Sequence, residues 1–172
     1  GASAPMETPV DMMAVIRECS SLGSADANRI DSLVTTDAQI LGEYGEITSV
    51  TSNLISNALR YSADDAPVEV SWSEDDDGWC VLRVSDKGDG ISPEDVPRLT
   101  ERFFRVNRGR GRDSGGTGLG LAIVKHALVR HDADFEIDTE IGQGSTFSCR
   151  FPPERLRFPS PGMLQSESVG QG

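Results

Sequence analysis

A chain of 172 residues with 37% hydrophobic content is one domain of ordinary size, with enough apolar residues for a proper core. Its formal net charge of −12 argues against general nucleic-acid binding. No apolar run approaches a membrane span, nothing near Gly1 resembles a signal peptide, and three scattered cysteines without a CxxC pair argue against a disulfide framework or zinc site. Cys19, Cys80 and Cys149 read as reduced core thiols of a cytosolic domain.

Residues 1–9 carry Pro5 and Pro9 and read as an unstructured lead-in. Gly1-Ala2-Ser3 reads as a cloning remnant, which makes the chain a piece of a longer protein. From Asp11 to about Leu22, Met12, Met13, Val15, Ile16 and Cys19 form a helical apolar stripe that Gly23 would end. Arg29–Val34 and Ala38–Leu41 read as a pair of strands.

Glu46–Tyr61 predicts a second helix with Ile47, Val50, Leu54 and Ala58 on its buried stripe. At about 100° per residue, Asn53, Asn57 and Arg60 cluster within roughly 60° of arc beside that stripe. Asparagine is a poor helix former, so two of them bordering a buried face need a neighbouring loop or a ligand as partner. Ser62–Pro67 is a polar loop. Val68–Trp72 alternates like a half-buried strand, and Asp77-Gly78 turns it into a second strand over Trp79–Val84.

In that second strand Cys80, Leu82 and Val84 share a face, and Asp86 is in phase with them. A carboxylate carried toward the buried side, just ahead of Gly88 and Gly90, must meet donors or cap the turn. Ser92-Pro93-Glu94-Asp95 opens a short helix to about Leu99. Between Arg98 and Arg112 lie six arginines and one acid, Glu101, a local balance of +5 in an acidic chain. Such an island suits an anionic ligand or partner, or else a solvated loop. Val106–Ser114 has no core residue after Val106 and is expected to be mobile.

Gly115-Gly116-Thr117-Gly118-Leu119-Gly120 then runs directly into an apolar helix ending near Arg130, whose breadth of apolar positions implies deep burial. Such a turn makes a phosphate-binding surface or an ordinary helix start. Phe135 and Ile137 mark another strand, and Gly142-Gln143-Gly144 turns into Ser145–Phe151, with Phe147, Cys149 and Phe151 on one face. Residues 152–172 read as a disordered tail.

Five segments in register resemble the boxes of sensor histidine kinases. Asn53–Ser62 resembles their N box, Asp86–Gly90 the first glycine box, Glu101–Arg105 the phenylalanine box, Gly116–Leu121 the second glycine box, and Gly144–Phe147 the final glycine-threonine element. The match spans roughly residues 10–151 and extends to the wider superfamily of gyrase, heat-shock chaperone, histidine kinase and mismatch-repair ATPases. It implies a two-layer α/β (α+β) sandwich of the Bergerat type, a mixed sheet covered on one face by helices, with ATP between the helices and a lid at about 106–114.

The resemblance also implies residue roles. Asp86 would accept from the adenine amino group, with Thr146 supporting it through water. Asn57 would hold Mg²⁺, Arg60 would stand near the phosphates, and Tyr61 would pack against the base. Gly118, Leu119 and Gly120 would offer backbone N–H groups to the phosphates. Gly88, Gly90, Ile91, Arg105, Thr117 and Leu121 complete the implied nucleotide-binding set.

Hydrolytic members of the superfamily place a glutamate four residues before the magnesium asparagine, where this chain has Asn53. An amide cannot take a proton from water, which disfavours hydrolysis and favours transfer to an acceptor that is itself nucleophilic. The resemblance thus implies that Asn53 and Arg60 stand at the catalytic positions of a kinase. His126 and His131, the chain's two histidines, lie outside the family's acceptor pattern and read as surface residues. The acceptor histidine is expected on dimerisation helices preceding residue 1, in a membrane-anchored parent with this domain in the cytoplasm and a response regulator as the next partner. The isolated piece is expected to be a monomer that touches neither nucleic acid nor membrane. An anti-sigma-type serine kinase and a non-catalytic nucleotide- or partner-binding module are the competing readings.

Overall fold

A computed structural model describes residues 7–21, 29–62, 66–92, 94–95 and 120–159. In chain order the elements are β1 (Thr8–Asp11), α1 (Met12–Ser21), β2 (Ile30–Val34), β3 (Gln39–Gly42), α2 (Tyr44–Tyr61), β4 (Val68–Glu74), β5 (Cys80–Asp86), α3 (Gly120–Arg130), β6 (Asp134–Glu140), β7 (Gly144–Phe151) and β8 (Leu156–Arg157). Five strands form a mixed sheet in the order β2-β4-β5-β7-β6, in which β2 runs parallel to β4 and the other pairs are antiparallel. A smaller antiparallel sheet, β1-β3-β8, lies apart from it.

The large sheet has one inner face. Val68, Val70 and Trp72 of β4, Leu82 and Val84 of β5, and Phe147, Cys149 and Phe151 of β7 alternate inward and join one core with Ile47, Val50, Leu54 and Ala58 of α2. Trp72 is fully buried, its indole N–H donating to Ala38 O at 3.0 Å and its ring edge-on to Phe151. The opposite face exposes Glu69, Asp134, Glu136 and Asp138, so among the described residues the helices cover one side of the sheet.

Several local expectations are corrected. Residues 8 and 9 are not lead-in but part of β1, which pairs with β3. The two segments read as a strand pair belong to different sheets, because β2 finds β4 and β3 finds β1 and β8. Helix α2 starts at Tyr44, two residues early, because the Glu43 carboxylate caps Gly45 N and Glu46 N. The tail expected from residue 152 instead begins with a turn at Pro153–Arg155 and β8, whose Leu156 is buried. On α3, Val124, Ala127 and Leu128 are buried, but Ile123 and Val129 are exposed, so that helix is buried on one stripe rather than all round.

Candidate functional site

Helix α2 and the end of β5 meet at Gly88. Ser62, the C-cap of α2, forms an antiparallel bridge with Gly88, and a Cβ on Gly88 would stand 2.0 Å from Tyr61 O. The bare backbone there lets the turn after β5 lie against the last turn of the helix. Asp86 is thereby brought beside Tyr61, and Asn57 lies one helical turn before Tyr61.

Asp86 ends β5 on the inner face, where it is 7% exposed, and its Oδ1 accepts from Gly88 N at 2.9 Å. A buried carboxylate held by a backbone donor answers the cost of desolvating its charge. Opposite it in register stands Ser145 of β7. Cross-strand partners share a face, with Cβ atoms about 4.5–5.5 Å apart.

Thr146 is on the other face, its hydroxyl 2.8 Å from Ser85 Oγ. Across from Asp86 itself stands Ser145, which is buried and 2.8 Å from Thr139 Oγ1. The sequence carried the signal: Ser145, not Thr146, alternates in phase with Phe147, Cys149 and Phe151.

The turn after Asp86 is pinned to the β6–β7 connection. Gly90 has φ +81°, and a Cβ there would meet Glu140 O at 2.3 Å. Gly142 N donates to Asp89 O at 2.8 Å, and the N–H of buried Ile91 donates to Thr139 Oγ1 at 2.7 Å. Gly88, Gly90, Ile91, Tyr61 and Asp86 are thus brought together. A cleft of about 520 Å³ at the sheet's rim is lined by Asp86, Ser145 and Thr139 together with Glu69, Ser85, Asp138 and Thr146 of the outer face, and by no residue of α2.

Along α2, Asn53, Asn57 and Arg60 are half-buried on one flank, where the helical spacing puts them. Asn53 donates from Nδ2 to Ser49 O at 2.8 Å. Arg60 donates from Nη1 to Asn57 Oδ1 at 2.8 Å and from Nη2 to Ser56 Oγ at 3.4 Å. These polar groups bond within their own helix. The Asn57 oxygen already attracts a cation, and a hard oxygen of this kind fits Mg²⁺. Gly120 opens α3, and Leu121 packs partly buried against the core. Arg105, Thr117, Gly118 and Leu119 lie outside the described residues, as do the Glu101–Arg105 segment and the lid expected at 106–114.

Helices α2 and α3 are clamped at their other ends. Arg130 Nε contacts both Glu46 oxygens, at 2.9 and 3.0 Å, and that carboxylate holds the guanidinium proton more firmly than usual. His131 is completely buried, which corrects the surface expectation; His126 is exposed as expected. Glu43 N donates to His131 Nε2 at 3.1 Å, and Nδ1 faces Ala127 O at 2.7 Å. A proton on Nδ1, with Nε2 accepting, satisfies both partners. Its ring fills the space where Gly42 has no Cβ, since one built there would stand 2.4 Å from His131 Cδ2. The sequence around His131 does not signal this, because its Nε2 partner, Glu43 N, lies 88 residues earlier.

Residues 42–155 match the family model described as histidine kinase-, DNA gyrase B-, and HSP90-like ATPase. The phosphate regulon sensor protein PhoR of Pseudomonas aeruginosa is 39% identical over 156 residues, 91% of this chain and 35% of that protein. The sensor-like histidine kinase SenX3 of Mycolicibacterium smegmatis is 37% identical over 166 residues, covering 94% and 42%. Among solved structures, the mycobacterial sensor histidine kinase MprB matches with a TM-score of 0.71 at 30% identity, over 85% of this chain and 97% of that one. Full-length ShkA in complex with AMPPNP matches with a TM-score of 0.75 at 26% identity, over 93% of this chain and 33% of that one. The chain therefore spans 35% and 42% of the length of the two sensor proteins it resembles in sequence.

Proposed function

The chain belongs to the histidine kinase-, DNA gyrase B- and HSP90-like ATPase family, as an ATP-binding catalytic domain of the sensor histidine kinase type, and we propose that with Mg²⁺ it passes the γ-phosphoryl group of ATP to a histidine on separate acceptor helices. The observation that carries this is the buried Asp86, fixed by Gly88 N and set opposite Ser145, on a turn that abuts the helix bearing Asn57 and Arg60.

Bound ATP supplies the transferable group, and the metal ion neutralises charge on its phosphate oxygens. Asp86 accepts from the adenine amino group, with Ser145 beside it. Tyr61, Gly88, Gly90 and Ile91 line the base. Asn57 offers its oxygen to the metal and Arg60 its charge to the phosphates, with the Thr117–Leu121 segment as the further phosphate contact and Arg105 as another cation. Positioning and charge neutralisation are most of what phosphoryl transfer asks of a protein. Asn53 has no proton-accepting group, and its NH₂ is held by Ser49, so water is not activated there.

The acceptor helices belong to the same parent protein and a response regulator takes the group next, in line with the sensor proteins the chain resembles. The parent is membrane-anchored with this domain on the cytoplasmic side. Among the described residues no helix is long and apolar enough to cross a membrane.

Titration of the purified chain with a non-hydrolysable ATP analogue, with and without Mg²⁺, tests the nucleotide site; no binding refutes it. A cognate acceptor-helix fragment and γ-labelled ATP then test transfer. Acid-labile label on the fragment is expected, and binding without label refutes the kinase assignment.

A further inference from the structure

We propose that the C-terminal segment of this chain, residues 160–172, docks in an apolar trough between α1 and the free edge of β2, with Met163 and Leu164 seated on Met13 and Leu33. Strand β2 ends the five-stranded sheet, and among the described residues it pairs only with β4. Open strand edges template pairing with other chains and are normally protected by charge, proline or a covering segment. This edge offers one acid, Asp31, beside Leu33, which is 63% exposed.

Next to it lies a hollow of about 600 Å³, walled by Met13, Ile16, Arg17 and Ser20 of α1 and by Leu33 and Val34 of β2. A second hollow of about 450 Å³ shares Met13 and Val34 with the first, so the two form one trough. Pro159 lines that second hollow, and the residues after it therefore start inside the trough. Order along the chain matches order along the trough. Met13, Arg17 and Ser20 follow one stripe of α1, about 10 Å long at 1.5 Å per residue. From Pro159 an extended chain reaches up to about 17 Å at Leu164 and about 10 Å further at Glu167. Met163 and Leu164 are thus within reach of Met13 and Leu33, and Glu167, the one charged residue of the segment, is within reach of Arg17. At the far end the Ser20 hydroxyl is buried without a hydrogen-bond partner, and an extended backbone laid past it supplies one. Docking takes two large exposed apolar side chains out of water and closes the sheet edge against a second chain.

The test places a nitroxide spin label on Ser166→Cys and reads paramagnetic broadening of methyl signals. Cys19, Cys80 and Cys149 are buried and stay unlabelled. The Met13 and Leu33 methyls are expected to lose most of their intensity, while Ile141, just past the opposite edge strand β6, keeps its own. Met163→Ser combined with Leu164→Ser is expected to abolish the effect. No broadening at Met13 and Leu33, equal broadening at all three residues, or broadening that survives the double serine change overturns the proposal. Spin-labelled protein is then mixed with isotope-labelled protein that carries no spin label. Broadening passed between molecules assigns the trough to a second copy and likewise refutes the proposal; its absence supports docking within one chain. Nucleotide is not part of the measurement, so the nucleotide site and this trough stand or fall separately.

Discussion

Arg60 sits on Asn57: its Nη1 donates to the Asn57 Oδ1 at 2.8 Å, so a guanidinium covers the oxygen assigned to Mg²⁺. A divalent ion and a guanidinium about 4 Å apart repel by roughly 8 kcal/mol at an effective dielectric of about 20. If Asn57 holds the metal as proposed, metal and Arg60 would exchange places on that oxygen, and Arg60 would be released toward the phosphates. Asn57→Ala removes the proposed ligand while improving helix propensity by up to about 0.7 kcal/mol. Magnesium-dependent nucleotide affinity is expected to fall about tenfold or more, with thermal stability unchanged or slightly raised. Wild-type magnesium dependence in that variant would contradict the assignment.

Ser145 and Thr146 are neighbours in sequence on opposite faces of the sheet, one across from Asp86 and the other bonded to Ser85. Ser145→Ala is expected to weaken adenine-nucleotide binding by roughly tenfold, and Thr146→Val to leave it within about twofold. Equilibrium titration of both variants decides between them. The reverse ranking would assign Thr146 the role first expected of it.

The buried His131 clamp gives a stability prediction. His131→Ala leaves a cavity under Gly42 and strips Glu43 N of its acceptor, a combined loss of about 2–4 kcal/mol in urea denaturation. An exposed histidine would cost within about 0.5 kcal/mol. Gly42→Ala, which drives a Cβ into the same ring, is expected to destabilise comparably.

The three thiols set an alkaline limit. Burial pushes Cys19 up from 9.0 to about 11 and Cys80 to about 12, and raises Cys149 as well. The folded state keeps these protons where the unfolded chain releases them. Their contribution is fully present below pH 9 and is lost as pH rises through the folded values, by up to about 1.4 kcal/mol per pH unit for each thiol in its window. Urea midpoints are expected to be flat with respect to the thiols at pH 7–8.5 and to fall between pH 9 and 11. Replacing all three cysteines by alanine should flatten that fall; an unchanged slope would assign it to other groups.

Legibility followed the range of the interactions. Asp86 and the Asn53–Asn57–Arg60 flank could be read because strand and helix periods place them without knowledge of partners. The position of Ser145 across from Asp86 was readable by the same alternation. Strands β1 and β8 and the partners of β3 were obscure because these strands are short and pair across long stretches of chain, β8 having only two residues behind a proline turn. The Glu43 cap was missed because glutamate is not a preferred N-cap side chain. His131 was missed because its burial depends on Gly42, a glycine whose missing side chain matters only once α3 is folded against it.

The most direct measurement is binding of a fluorescent ATP analogue with Mg²⁺ to wild-type protein and to Asp86→Asn. The asparagine can keep an oxygen for Gly88 N, so the fold and its melting temperature should hold. It nonetheless loses the charge and turns one acceptor into a donor against the adenine amino group. Saturable wild-type binding and a loss on the order of a hundredfold in the folded variant are expected. Equal affinity of the two proteins would contradict adenine recognition by Asp86 and the site built around it.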